Sequence, residues 1–225
     1  MMVMSRAARI FGANVVYHVV INCNNNEFLF KRNGDFLSFL RCLKEAKDRF
    51  SFSLHAYQIM HNHVHLILQT GQNAFLDAIM HWTCNIFSKK YNIFHKRTGH
   101  FWRNRYKAKV IDNDLYGLAC LRYIHRNALD IIGADQIERW RWSCYRFYAF
   151  GNRNDLITPL PSYLALDDNK CYRQNFYVRW VREPFLSKEN NKILFESKLK
   201  PGSRRQKKLI KELLMPAFEK IAKSH

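Results

Sequence analysis

Acidic residues are scarce. The 225-residue chain has 18 Asp and Glu against 37 Lys and Arg, a formal net charge of +19. Those acids form no cluster, which argues against a nuclease built on grouped carboxylates. The surplus of cations causes self-repulsion in the compact state, and a polyanionic partner relieves it. With a pI near 9.9, nucleic acid is the first candidate partner. Cysteine is sparse and dispersed: six residues, at 23, 42, 84, 120, 144 and 171, with no C-x-x-C pair among them. That excludes the usual zinc-ribbon and dithiol redox motifs and predicts reduced, mostly buried thiols. The start, MMVMSRAARIFG, lacks the apolar stretch of a signal peptide. Asp, Glu, Lys and Arg are absent from residues 50–76, but His55, Gln58, His61, Asn62, His63, His65, Gln69, Gln72 and Asn73 make the segment too polar for lipid. No membrane association is expected, and a cytoplasmic, nucleoid-associated protein is.

The hydrophobic fraction of 48% is ordinary, and a chain of this length buries a core without disulfide or metal staples. Residues 15–22, dense in β-branched side chains and followed by three asparagines, predict a strand and a turn. Phe36, Phe39, Leu40, Leu43 and Phe50 recur at helical spacing through 34–50. Residues 52–60 and 63–69 read as two strands joined at His61 and Asn62. A helix follows over 74–91, then a strand over 101–112. This order gives an α+β fold, a ferredoxin-like split βαβ with an antiparallel sheet and helices on one face. A further helix is predicted over 114–130, after the capping run Asp112-Asn113-Asp114. Gly151, Asn152, Asn154, Pro159 and Pro161 mark a boundary. The expected organisation is a catalytic domain over 1–150 and a basic C-terminal helical extension over 151–225, with helices near 169–182 and 203–223.

Three local patterns carry chemistry. In the strand HVHLIL, His63 and His65 point to the same side and Val64 to the other. Two imidazoles so placed can bind one metal ion. In RYIHRNALD, Tyr123 and Asn127 lie four residues apart on one helix face. The phenol is a candidate nucleophile and the amide oxygen suits a hard cation. In FWRNRYKAKV, Arg103, Arg105, Lys107 and Lys109 alternate along the predicted strand, a spacing that suits a phosphate track as well as a charged sheet edge. The WRWSCYRFY run at 140–148 is expected to close the core.

The strand YQIMHNHVHLIL, the segment GHFWRNRYKA, the helix motif YIHRN and the later WRWSCYRFY occur in this order. Together they resemble the HUH single-tyrosine transposases, and within them the REP-associated tyrosine transposase branch, over roughly residues 9–150. His61 departs from the Pro usual there, and Ala128-Leu129-Asp130 from Pro-Val-Arg. The resemblance implies metal-dependent cleavage and rejoining of single-stranded or hairpin DNA, with Mg²⁺ or Mn²⁺ held by His63, His65 and Asn127. It also implies attack by Tyr123 to give a 5′-phosphotyrosine, in a monomer or homodimer. A phenol of ordinary pKa is about a thousandth ionised at pH 7, and Arg126 is the candidate for stabilising the phenolate and touching DNA. Tyr106 and Tyr116 are alternative nucleophiles. Two other readings stand beside this one. The first is a non-catalytic single-stranded DNA- or RNA-binding protein on the same fold. The second is a zinc hydrolase using His61, His63 and His65, although three alternate strand residues span about 13 Å.

Overall fold

Every second residue of Val16–Asn22 is apolar and buried: Tyr17, Val19 and Ile21 point into one core. That alternation makes the segment a central strand, β1. Ser53–Ile59 (β2), His63–Gln69 (β3) and Lys107–Val110 (β4) complete an antiparallel sheet of order β2-β3-β1-β4. The structure, a computed structural model, describes residues 12–129, 134–183 and Lys208. The helix predicted over 203–223 lies outside these residues apart from Lys208.

The α+β split βαβ expectation holds for the sheet and its crossover helices, but helices on one face alone do not, because a third helix packs on the other face. Two crossover helices, Asn33–Phe50 (α1) and Leu76–Phe94 (α2), pack against each other. They share an aromatic core in which the Phe30 and Phe87 rings stack 5.3 Å apart and Phe39 meets Phe87 edge-on at 5.1 Å. Asp35 caps the start of α1, accepting from the Arg32 backbone N–H at 2.9 Å.

The opposite sheet face is covered by Asp114–Arg126 (α3), capped where Asn113 Oδ1 accepts from the Tyr116 N–H at 2.9 Å. Nearly every side of α3 is buried, because a second layer lies over it: Tyr145–Phe150 (α4), Pro161–Leu164 (α5) and Lys170–Arg182 (α6). Gly117 permits the close approach of α5, since a Cβ there would lie 3.1 Å from Ser162 Oγ. His125, at the centre, bonds through Nδ1 with Tyr177 Oη at 2.6 Å and through Nε2 with Cys144 Sγ at 3.2 Å. Tyr145, Tyr148, Tyr163 and Trp180 are buried around that pair.

The composition break at 151–162 is therefore a change of path, not an edge of the core, because Tyr163, Tyr177 and Trp180 fill the same interior as α3. The WRWSC run does close the core, from the edge of β2. Ile59 donates its N–H to the Trp142 carbonyl at 2.9 Å, and the Cys144 N–H donates to the Tyr57 carbonyl at 3.1 Å.

Two predicted spans shorten. The helix expected to run to 130 ends at Arg126, with Asn127 as its C-cap. The strand expected over 101–112 is formed only by Lys107–Val110. Before it the chain bends so that Trp102 bridges Cys23 and donates its indole N–H to the Cys84 carbonyl at 3.1 Å.

Burial alone holds the His125 imidazole neutral, its pKa pushed down from 6.5 to about 3. The unfolded chain protonates this ring near pH 6.5 and the native protein does so only near pH 3. The stabilisation is thus complete above pH 6.5 and lost progressively as pH falls toward 3. His125→Gln is expected to flatten that acid limb in denaturant unfolding measured from pH 7 to 4. An unchanged slope would mean that His125 is already charged or exposed.

Candidate active site

The pairing of β1 with β3 decides which side chains meet. Val20 opposes His65 and Asn22 opposes His63, so the H-x-H pair projects from the face carrying His18, Val20 and Asn22. β4 adds to the same face, with Lys109 opposite His18 and Lys107 opposite Val20. Helix α3 lies over this face. The result is a cavity of about 290 Å³ whose wall includes His18, His63, His65, Lys107, Lys109, Tyr123 and Asn127. The predicted histidine pair and the predicted Tyr/Asn pair, from separate elements, thus share one site.

The ring geometry is tight. His63 and His65 stand perpendicular with centroids 4.9 Å apart. Tyr123 presents its ring edge-on to His65 at 5.6 Å and to His18 at 6.0 Å. His63 Nδ1 donates to Asn62 Oδ1 at 2.7 Å, which fixes its proton on Nδ1 and its lone pair on Nε2. Asn127 donates Nδ2 to the Tyr123 carbonyl at 2.8 Å, leaving Oδ1 as the atom with which it meets a cation. Burial, reinforced by His63 and then His18, drives the His65 pKa well below 6.5. Burial and then Lys109 lower that of His18 to about 3. Neutral imidazoles are the form that binds metal.

Two imidazole nitrogens, borderline donors, and one amide oxygen, a hard one, could hold a divalent cation and leave positions open, with the charges of Lys107 and Lys109 in the same wall. Among the described residues, no three His, Cys, Asp or Glu side chains are grouped to hold a metal ion by themselves. The three-histidine zinc reading fails for a specific reason. His61 sits in the turn, bonds through Nδ1 to the Phe30 carbonyl at 2.7 Å and packs edge-on against Trp140 at 5.4 Å.

Other expected site residues part company. Arg103 and Arg105 precede β4 on the bent segment, so the alternation that aligned them with Lys107 and Lys109 does not apply; both are exposed and neither lines this cavity. Arg126 does not line this cavity; it donates to the Val181 carbonyl and, at 3.0 Å, to the Glu183 carbonyl at the end of α6. Arg122 joins it, donating Nε to the Trp180 carbonyl at 2.7 Å. Two cations thus cap a helix C-terminus, where the backbone carbonyls favour positive charge.

Of the alternative tyrosines, Tyr116 is fully buried. Tyr106 lines a larger cavity of about 790 Å³, beside Ile21 and Met80 on the α2 side of the sheet, which lacks the histidine pair. His18 and Asn22 are site residues that the sequence reading misses. The signal for them lies in the two-residue period of β1, and it becomes readable once the register with β3 is known.

A family model described as Transposase IS200 like matches residues 12–127. A solved structure described as a REP-associated tyrosine transposase bound to a REP hairpin aligns with a TM-score of 0.54 at 17% identity, covering 71% of this chain and 96% of that one. At that identity the likeness establishes the fold. A transposase candidate from Deinococcus radiodurans R1 aligns at a TM-score of 0.37 and 13% identity, over 52% of this chain and 92% of the other, and carries no argument. No curated protein matches.

Arg126→Ala removes donors from carbonyls at the end of α6 and is expected to lower unfolding free energy by about 1–3 kcal/mol. Denaturant titration checks this. A variant as stable as the parent would contradict the capping role.

Proposed function

The chain belongs to the IS200-like transposase family, whose model spans residues 12–127, and on that premise we propose that it nicks and rejoins single-stranded DNA at a hairpin through a 5′-phosphotyrosine at Tyr123. One observation carries this reading: Tyr123, Asn127, His63 and His65 line a single cavity together with Lys107 and Lys109. A structurally similar protein was solved with a REP hairpin, and a palindromic hairpin is the natural first substrate to try.

His63 and His65, through Nε2, and Asn127, through Oδ1, would hold Mg²⁺ or Mn²⁺. When bound, the ion supplies Lewis acidity to a phosphate oxygen and offsets charge developing in the transition state. The remaining work falls to the protein. Tyr123 attacks phosphorus; the phenolic O–P bond forms as the bond to the 3′ oxygen breaks. The 3′ oxygen leaves and takes a proton from water, and the phenolic proton passes to solvent. The ester energy is kept in the phosphotyrosine, so a second 3′-OH reverses the step and joins strands without a nucleotide cofactor.

Lys107 and Lys109, in the same wall as Tyr123, supply positive potential that favours the phenolate. Arg103 and Arg105, exposed just upstream, extend that potential along the outer surface and take phosphates farther from the cut.

Tyr123→Phe removes one hydroxyl and keeps the ring that meets His65 and His18. It should bind a labelled hairpin as tightly as the parent does and form no covalent adduct when Mn²⁺ is added. A fully active Phe variant would remove the mechanism, and a parent protein that binds hairpins but forms no adduct would favour the non-catalytic reading. The cations make a separate prediction. Each Lys107→Ala or Lys109→Ala change should lower the slope of log affinity against log salt by roughly 0.7, the amount for one lost single-strand phosphate contact. Unchanged slopes in the double variant would place the DNA backbone elsewhere.

A further inference from the structure

His18 is an imidazole buried to 2% exposure, set in a strand that otherwise buries apolar side chains, and nothing in the reaction just described uses it. Its Nε2 lies 3.1 Å from His65 Nδ1. The two rings are within 16° of parallel with centroids 5.4 Å apart. With two nitrogens at hydrogen-bond distance, that is an in-plane N–H···N bond rather than face-to-face stacking.

We propose that His18 is the positioning residue for His65, accepting the His65 Nδ1 proton so that the His65 Nε2 lone pair faces the cation site. The proposal rests on the reading of His63, His65 and Asn127 as that site.

Such a bond has two arrangements. If His65 donates, its proton is on Nδ1 and Nε2 is bare. If His18 donates, the His65 proton sits on Nε2 and closes the ligating position. The neighbouring ligand shows which arrangement the site is built for. His63 spends its Nδ1 proton on Asn62 Oδ1, an atom that can only accept, and so presents Nε2. His18 does for His65 what Asn62 does for His63. The outer partner of a metal-bound histidine fixes both its tautomer and its ring orientation. The scaffold is rigid, since His18 and His65 project from adjacent strands paired over seven residues. Tyr123 meets both rings edge-on, so His18 also braces the wall against which the phenol rests. Neither outer partner is a carboxylate.

The test uses the full-length protein, with Mn²⁺ binding followed by loss of the free-ion paramagnetic resonance signal. His18→Leu removes the acceptor and is expected to weaken Mn²⁺ binding by about 10–100-fold. His18→Gln, whose Oε1 can replace Nε2 as acceptor, should restore binding to within a few-fold of the parent. Nitrogen-15 spectra of the metal-free parent should show His65 protonated on Nδ1. Leu-variant affinity equal to the parent's, or a parent His65 protonated on Nε2, would overturn the proposal. If the Leu variant does not fold, the parent's tautomer decides alone. His65→Ala separates the two levels of the argument. A parent that binds Mn²⁺ no better than His65→Ala removes the cation site itself, and with it this inference. A parent that binds well beside an unaffected Leu variant removes only the role of His18.

Discussion

The register between β1 and β3 is the constraint on which the site depends. Side chains alternate across a strand, so a slip of one residue would carry His63 and His65 to the opposite face of the sheet. What prevents the slip is the burial of Val19, Ile21, Val64 and Leu66 on the α1/α2 side, each at 0–3% exposure. Those four residues touch none of the chemistry. They nevertheless determine that the imidazole pair emerges beside His18 and Asn22 and beneath α3, and that Lys107 and Lys109 from β4 join the same wall.

Helix α3 divides its work by angle. Tyr123 and Asn127, one turn apart, face the sheet. Arg122, His125 and Arg126 face the layer formed by α4 and α6. The second set fixes the roll of the helix about its axis and therefore where the phenol stands relative to His65. Residues 151–183, which look like an appendage in composition, help to place the Tyr123 phenol through Tyr177, Trp180 and the carbonyls that the two arginines cap. Stability on that side and geometry on the other are two consequences of one packed helix.

Much of this is legible in the sequence. The alternation in 15–22 and 63–69, the helical spacing in 34–50 and 74–91, and the H-x-H and Tyr/Asn spacings all rest on local periodicity, and local periodicity survives folding. What is not legible shares a cause. Nearness in sequence points Arg126 at the phenol and gives no sign of the carbonyls 55 and 57 residues away, at the end of α6, to which it donates. Alignment of Arg103 and Arg105 with Lys107 and Lys109 requires a continuous strand. The indole of Trp102 instead binds the α2 backbone and bends the chain before β4 begins. His18, alone in an apolar run, reads as a core histidine until the pairing register shows what it opposes.

The proposed reaction requires that the two halves of the cavity hold a single divalent ion at the point of attack. The direct measurement is a crystal structure of the Tyr123→Phe protein with a hairpin DNA and Mn²⁺, with the ion located by its anomalous scattering. One peak bonded to His63, His65, Asn127 and the scissile phosphate, with the substituted ring facing phosphorus opposite the 3′ oxygen, is the predicted result. A DNA-bound protein whose manganese lies elsewhere, or whose scissile phosphate lies outside this cavity, would contradict it.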